Sequence, residues 1–134
     1  MYTKCEAFLD GLANAVHDMD LESLQSRCAL PFILVKEEPK SVITLKQELE
    51  EKLKGLLLAY NQLGVTNFTP KLKKAVPISE DMIYVTTEWS YCNSENEVVY
   101  SYENSYLLNE ANGELKIVTL IVDDNEDLFL SLIN

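Results

Sequence analysis

The chain has 134 residues and a mass of 15.2 kDa, with 47% hydrophobic and 25% charged residues. These proportions are typical of one compact globular domain, and we expect residues 1–134 to form a single domain. Eleven Lys and Arg against twenty-two Asp and Glu give a net charge of −11. This excess argues against nucleic-acid binding and against docking on an anionic membrane surface, because both present negative charge.

The N-terminal part of the chain carries the apolar spacing of amphipathic helices. We predict a first helix over residues 2–19, with apolar residues at Phe8, Leu12 and Val16. Asp20 is a good N-cap for a short second helix. That helix should end near Ala29, because Pro31 disfavours helical backbone angles at the residue before it.

A short apolar strand over Phe32–Val35 follows, and Ser41–Ile43 is predicted to pair back onto it. Thr44 opens the clearest helix of the chain, with Gln47 three residues later in the spacing of a capping box. Gly64 supplies the residue that ends this helix. The sequence therefore predicts three helices before the main sheet.

From Val65 onward the apolar residues alternate with polar ones, which is the period of β-strands. Asn112-Gly113 is typical of a tight two-residue hairpin turn. A last amphipathic turn or two is expected from Asn125. Helices followed by a strand meander indicate an α+β fold with helices on one face of an antiparallel sheet. The predicted strands cover about 66–77, 82–92, 97–109 and 114–123.

A four-residue hairpin loop at 93–96 would place Trp89 opposite Tyr100 and Thr87 opposite Tyr102. The Asn112-Gly113 turn would then add Ile117, Thr119 and Ile121 to the same face. That face is rich in aromatic residues, namely Trp89, Tyr91, Tyr100, Tyr102 and Tyr106, with Asn104 and Thr119 as isolated polar groups. The opposite face carries the apolar residues Tyr84, Leu107, Val118, Leu120 and Val122.

An apolar face with a few directed polar groups is how small-molecule sites are built. We predict a partly hydrated cavity lined by the ligand-binding residues Trp89, Tyr102, Asn104 and Tyr106, with its mouth near residues 125–133. Buried phenol and indole groups need hydrogen-bond partners, and the predicted helices offer mainly aliphatic side chains. Some of these groups should therefore meet water or a ligand. The alternative is that the aromatic face is only a packed core.

Other kinds of site find little support in the sequence. One histidine excludes a His-rich metal site within the chain, and no metal or cofactor is predicted. The three cysteines lack a C-x-x-C motif, which favours reduced thiols and a cytoplasmic location. No signal peptide or membrane span is expected. Glu88 or Glu103 would face the pocket only if the strand register were off by one.

The order of elements resembles the nuclear transport factor 2-like (SnoaL-like) superfamily over nearly the whole chain. Locally, Ala29-Leu30-Pro31, Trp89-Ser90-Tyr91 and Ser105-Tyr106-Leu107-Leu108 are similar to an uncharacterised bacterial branch of it. The resemblance implies a cone of three N-terminal helices packed on a strongly curved mixed or antiparallel sheet. It also implies a pocket between helices and sheet, and a dimer formed through the outer sheet face.

The superfamily hosts isomerases, dehydratases, cyclases, hydrolases and binding proteins, so the fold does not fix the function. Its ketosteroid isomerase branch has a tyrosine in the first helix and a base aspartate on the first strand. Here Phe8, Leu12 and Val16 occupy the inner face of the helix, and Phe32–Val35 has no acid. This departure argues against that mechanism.

Three functions are compatible with the sequence. The favoured one is a non-catalytic or accessory protein that binds a small apolar or aromatic molecule. The second is a lyase, isomerase or cyclase that uses a pocket tyrosine and a carboxylate, which a raised carboxyl pKa beside Tyr102 or Tyr106 would favour. The third is an interaction protein whose pocket is filled by its own side chains. A homodimer through the apolar outer face is expected in each case.

Overall fold

The computed structural model describes residues 2–36, 41–122 and Glu126. The helical turn and the cavity mouth that the sequence predicts after Asn125 lie outside the described residues. Over residues 2–36 and 41–122, the helices are α1 (Tyr2–His17), α2 (Leu21–Ser26) and α3 (Lys46–Gln62). The strands are β1 (Cys28–Val35), β2 (Ser41–Ile43), β3 (Asn67–Pro77), β4 (Met82–Cys92), β5 (Val98–Ala111) and β6 (Glu114–Ile121).

The six strands form one mixed sheet in the order β2-β1-β6-β5-β4-β3. Neighbouring strands are antiparallel except β1 and β6, which are parallel. The three helices cover one face of this sheet, so the predicted α+β class is confirmed. Within the described ranges, no helix is both long and apolar enough to cross a membrane.

The helix ends follow local chemistry at two of three predicted positions. The Asp20 side chain accepts a hydrogen bond from the Ser23 N–H at 3.1 Å, which is the N-cap interaction expected for α2. Gly64, just after α3, has φ +76°, a value that favours glycine. The predicted capping box at Thr44 is wrong, because α3 begins later and its N-cap residue, Leu45, makes no side-chain cap.

The small hairpin before α3 has the predicted partners, with Phe32 opposite Ile43. The preceding helix is shorter than expected and ends at Ser26 rather than near Ala29. The reason is that β1 already begins at Cys28, where it pairs with β6. A tertiary strand pairing therefore overrides the local helical pattern in this segment.

The predicted pairing of β4 with β5 is displaced by two residues. Trp89 lies opposite Tyr102 rather than Tyr100, and Thr87 lies opposite Asn104. The loop is one residue longer than predicted, because Cys92 pairs with Val98. An irregularity between Tyr91 and Cys92 adds one more residue on β5, which makes the total displacement two residues. Because the side-chain period of a strand is two, this even shift leaves the predicted faces intact.

The predicted pairing of β5 with β6 fails at a bulge. Leu108 lies opposite Ile117 as expected, but Leu107 then lies opposite Thr119 and Tyr106 opposite Leu120. A one-residue insertion sends every later side chain to the other face. Thr119 is therefore on the outer face, whereas Leu120 and Val122, both predicted outside, lie on the inner face under the helices.

Candidate functional site

The four residues predicted to bind a ligand line one cavity on the inner face of the sheet. Trp89 on β4 and Tyr102, Asn104 and Tyr106 on β5 form its floor. The cavity has a volume of about 90 Å³. Its roof comes from the helices and consists of Leu12, Val16, Leu24, Leu53, Leu56 and Tyr60. The alternation of β4 and β5 thus brings these four side chains together, and their role in binding stays a prediction.

The aromatic polar groups find partners within the protein. The Trp89 Nε1–H donates to the Tyr106 hydroxyl at 2.9 Å, and both side chains are buried. Tyr60 on α3 brings a hydroxyl that lies 2.6 Å from the Tyr91 hydroxyl. The expectation that several of these groups need water or a ligand is therefore wrong for Trp89 and Tyr91. That expectation assumed that the helices offer mainly aliphatic side chains to the sheet, and it did not count the hydroxyl of Tyr60 on α3.

A carboxyl group lies at the centre of this aromatic cluster. Glu126 is 4% exposed, and its Oε2 accepts hydrogen bonds from Tyr91 and, at 3.2 Å, from Tyr60. Tyr91 is also bonded to the Tyr102 hydroxyl. The rings of Tyr91 and Tyr102 pack edge to face with centroids 4.8 Å apart. Hydroxyls from α3, β4 and β5 thus surround the side chain of Glu126, a residue that follows β6 in the chain.

Burial shifts the proton affinities of this cluster. Removal from water raises the pKa of Glu126, although the hydroxyls of Tyr102, Tyr91 and Tyr60 oppose this by donating to the carboxylate. Burial also raises the pKa of Tyr60, Tyr91 and Tyr102, with the nearby carboxylate adding to the effect. The raised pKa values keep the phenols protonated as hydrogen-bond donors, and they favour the protonated carboxyl of Glu126 more than in an exposed glutamate.

Sequence reasoning did not identify Glu126, and it considered two other carboxylates only for the case of a one-residue error in strand register. Glu88 and Glu103 lie opposite each other on the outer face, where Glu88 is 3.5 Å from the Lys73 ammonium. They do not face the cavity. The sequence did contain a signal for Glu126. This residue stands three residues before Phe129 and seven before Ile133, which is the helical spacing of residues that share the apolar face.

A second cavity adjoins the first on the side of β1 and β2. Its volume is about 320 Å³, and its described lining is largely aliphatic. The two charged residues there other than Glu126 are Lys36 and Lys52. The two cavities share Phe32, Leu53, Leu56, Leu120 and Glu126. We call the first the inner cavity and the second the outer cavity, and Glu126 belongs to the wall between them.

This arrangement suits recognition of a mostly apolar molecule that carries one polar group. Cys28, which also lines the inner cavity, is not a reactive thiol, because burial raises its pKa to about 12. In the described part of the chain, no three His, Cys, Asp or Glu side chains gather as metal ligands would. Apart from the Cys28 thiol, the polar groups in the described lining of the inner cavity are thus phenols, one amide, one indole and one carboxyl.

Comparison with known protein families identifies the family to which this chain belongs. The family described as "NTF2-like protein (DUF6841)" matches residues 3–125. The chain belongs to this NTF2-like family. No curated protein matches it.

Solved structures that resemble this NTF2-like chain show the same fold. An NTF-2 like protein of unknown function from Shewanella oneidensis has a TM-score of 0.67 and 13% identity, with 90% of this chain and 98% of that chain covered. A cystatin-like domain of unknown function from Nostoc punctiforme has a TM-score of 0.69 and 10% identity, covering 97% and 83%. A ketosteroid isomerase-like protein from Erwinia carotovora has a TM-score of 0.62 and 21% identity, covering 89% and 92%. The NTF2-like cone inferred from the order of elements is thus confirmed.

The pocket nevertheless departs from the pattern that the ketosteroid isomerase resemblance implies. The α1 residues that reach the inner cavity are Leu12 and Val16, and β1 contributes Cys28 and Phe32. Among the described lining residues of both cavities, Glu126 is the one carboxyl. In this NTF2-like protein the acidic group comes from beyond the last strand, not from the first one.

Proposed function

We propose that this NTF2-like domain binds a small, mostly apolar molecule in the outer cavity, beside the buried carboxyl group of Glu126. The observation that carries the proposal is the aliphatic cavity that borders one buried, hydrogen-bonded carboxyl. Ligand sites commonly combine an apolar lining with very few directed polar groups. An aromatic ligand fits this lining as well as an aliphatic one.

The two volumes decide where the body of the ligand lies. A water molecule needs about 10–15 Å³ of such volume, so the inner cavity of about 90 Å³ holds a few waters or a small group. Small-molecule sites commonly have about 300–1,000 Å³, which the outer cavity reaches at about 320 Å³. A steroid-sized ligand would therefore need both cavities.

The proposal is tested by titrating neutral compounds such as benzyl alcohol, cyclohexanol and naphthalene while recording protein NMR spectra and the emission of Trp89. We expect saturable shifts, and a weaker response in Tyr102→Phe. Leu120→Phe should weaken binding about tenfold, because Leu120 lines both cavities. Leu107→Phe is the matched control, since Leu107 lies on the outer face. An unmodified protein that binds none of these compounds would contradict the proposal.

A second candidate is a lyase-, isomerase- or cyclase-type enzyme that transfers a proton through Glu126. One observation favours it, namely that burial raises the pKa of this carboxyl beside Tyr102. Binding without catalysis is better supported, because the hydroxyls of Tyr60 and Tyr91 donate to Oε2 of Glu126 and make the carboxylate a weaker base. Deuterium exchange into carbonyl compounds in D₂O, absent in Glu126→Gln, would establish the enzyme instead.

A homodimer through the outer sheet face is part of the proposal. One row of directly paired residues crosses all six strands on that face, and five of its six members are apolar. The row is Val42, Ile33, Thr119, Leu107, Tyr84 and Val76. Val42, at 64% exposed, shows that this apolar row reaches the surface. An exposed apolar patch of this kind is typical of an interface, and a two-fold axis would pair it with itself.

Sedimentation tests the dimer. We expect a particle of about 30 kDa, twice the chain mass of 15.2 kDa. Thr119→Asp should dissociate it, because two carboxylates would meet near the middle of the row. Glu114→Asp, at an exposed position at the start of β6, is the control. A monomeric unmodified protein would contradict this part of the proposal.

A cytoplasmic site of action also belongs to the proposal. Cys5, Cys28 and Cys92 are all buried and free of disulfides, as expected for a protein in a reducing compartment. Fractionation of cells that express the tagged chain would test it. Recovery of the chain from the periplasm or the medium would contradict this location.

A further inference from the structure

Three phenol groups from three different elements surround one carboxyl group, that of Glu126. Tyr60 comes from α3, Tyr91 from β4 and Tyr102 from β5, and we call them the tyrosine triad. The Tyr91 hydroxyl lies 2.6 Å from that of Tyr60 and is also bonded to that of Tyr102. Both Tyr60 and Tyr91 donate to Oε2 of Glu126. The triad is thus a ready-made set of donors on rigid elements.

A carboxyl group complements this set better than other polar groups do. Each phenol brings a single donor, and a carboxylate offers two oxygens with about four lone-pair sites. A hydroxyl or a single carbonyl oxygen accepts fewer bonds. Hydrogen bonds to an ionised acceptor are also roughly twice as strong as those between neutral groups. Three neighbouring donors therefore favour an ionised carboxyl group over an alcohol or an amide.

The residue that fills the triad is not part of the helices and strands that build it. Glu126 lies 66 residues from Tyr60 and 35 from Tyr91 along the chain, beyond the end of β6. Its side chain belongs to the lining of both cavities. The Glu126 side chain therefore borders the aliphatic space of the outer cavity.

The charges that line the outer cavity also favour an anion. The chain carries a net charge of −11, yet the described lining contains Lys36 and Lys52 and no acidic residue except Glu126. Lysines at the edge of an apolar space keep their stems in contact with it and their ammonium groups near water. The Lys52 ammonium lowers the cost of bringing a negative charge to this cavity in an otherwise acidic protein.

We propose that the tyrosine triad is a recognition site for the carboxyl group of a ligand, and that Glu126 occupies it in this structure as an internal stand-in. The ligand is then an apolar monocarboxylic acid whose body lies in the outer cavity. This inference rests on the proposed function and adds the chemical class of the ligand. Glu126 and the ligand carboxyl compete for the same donors, so Glu126 weakens the apparent affinity of the acid.

The test compares hexanoate with hexanamide, which has the same chain and no carboxylate, by isothermal titration calorimetry near pH 7. Glu126→Ala empties the triad and should bind hexanoate about tenfold or more tightly than the unmodified protein. Glu126→Gln keeps a side chain of the same size in place and should not. Hexanamide should gain little in either variant, which separates recognition of the carboxyl from the extra space.

Two further measurements keep the inference testable if Glu126→Ala folds poorly. Introduced alone, with Glu126 kept, Tyr91→Phe should remove most of the preference for hexanoate over hexanamide. In the unmodified protein, saturating hexanoate should show NOEs from its C2 methylene to the ring protons of Tyr60 and Tyr102. Their absence while the acid binds would place its carboxyl elsewhere and overturn the inference.

The remaining outcomes separate the two proposals. Equal affinity of Glu126→Ala for hexanoate and hexanamide would refute carboxyl recognition and leave the proposed apolar binding function standing. A preference for hexanamide would likewise refute carboxyl recognition. If neither these compounds nor neutral apolar compounds bind any folded form of the protein, the proposed function fails together with the inference.

Discussion

Tyr91→Phe tests whether the hydroxyl network is the polar centre of the molecule. The Tyr91 hydroxyl is bonded to Tyr60, Tyr102 and Glu126, so its removal deletes three interactions at once. A buried hydrogen bond contributes about 0.5–1.5 kcal/mol net. The loss is smaller than three full bonds, because Tyr60 also donates to Glu126 and keeps a partner. We expect the free energy of unfolding to fall by about 2 kcal/mol.

The assay is urea denaturation followed by far-UV circular dichroism, with Tyr84→Phe as the matched control on the same strand. Tyr84 points to the outer face and makes one hydrogen bond, to Ser105 at 3.0 Å. Its loss should cost about 1 kcal/mol or less, because it is only partly buried. If Tyr91→Phe costs no more than Tyr84→Phe, the network contributes nothing special and the reasoning is refuted.

Three further changes test other parts of the structure. Burial raises the pKa of Glu126, so its contribution to stability is complete below the ordinary glutamate pKa and is lost as the pH rises through the raised value. In urea titrations between about pH 4 and pH 8, the free energy of unfolding of the unmodified protein should fall relative to that of Glu126→Gln. The fall should be about 1.4 kcal/mol for each unit by which the pKa of Glu126 is raised. Parallel pH curves for the two proteins would contradict this. Asp20→Ala removes the cap on Ser23 and should cost about 1 kcal/mol, with Asp20→Asn close to neutral, by thermal unfolding. Gly113→Ala should cost about 1 kcal/mol in the same assay because φ is +79° there, and an unchanged midpoint would refute the strain.

Local patterns were sufficient to predict most elements. The predicted strand over residues 82–92 has the same bounds as β4, because alternating side chains and flanking polar residues mark both of its ends. The turn at Asn112-Gly113 is confirmed with positive φ at both residues, which Asn and Gly tolerate. These features depend on neighbours within a few residues, and such neighbours are visible in the sequence.

The strand pairings depended on irregularities that the sequence does not mark. The shift of two residues between β4 and β5 was harmless to the predicted faces, whereas the single inserted residue beside Leu107 exchanged Thr119 and Leu120. A bulge is selected by how the twisted sheet closes under its helices. It has no dependable local signature.

The four predicted pocket residues are together on one face because alternation along β4 and β5 requires it, so the sequence alone determined the cavity floor. Tertiary structure alone decided that Tyr60 from α3 and Glu126 from beyond β6 complete it. These contacts join residues 31 to 66 positions apart, and no periodicity within one element reports on them. The cost of burying an unpaired carboxyl or phenol requires such groups to find each other, and only the folded chain specifies which ones meet.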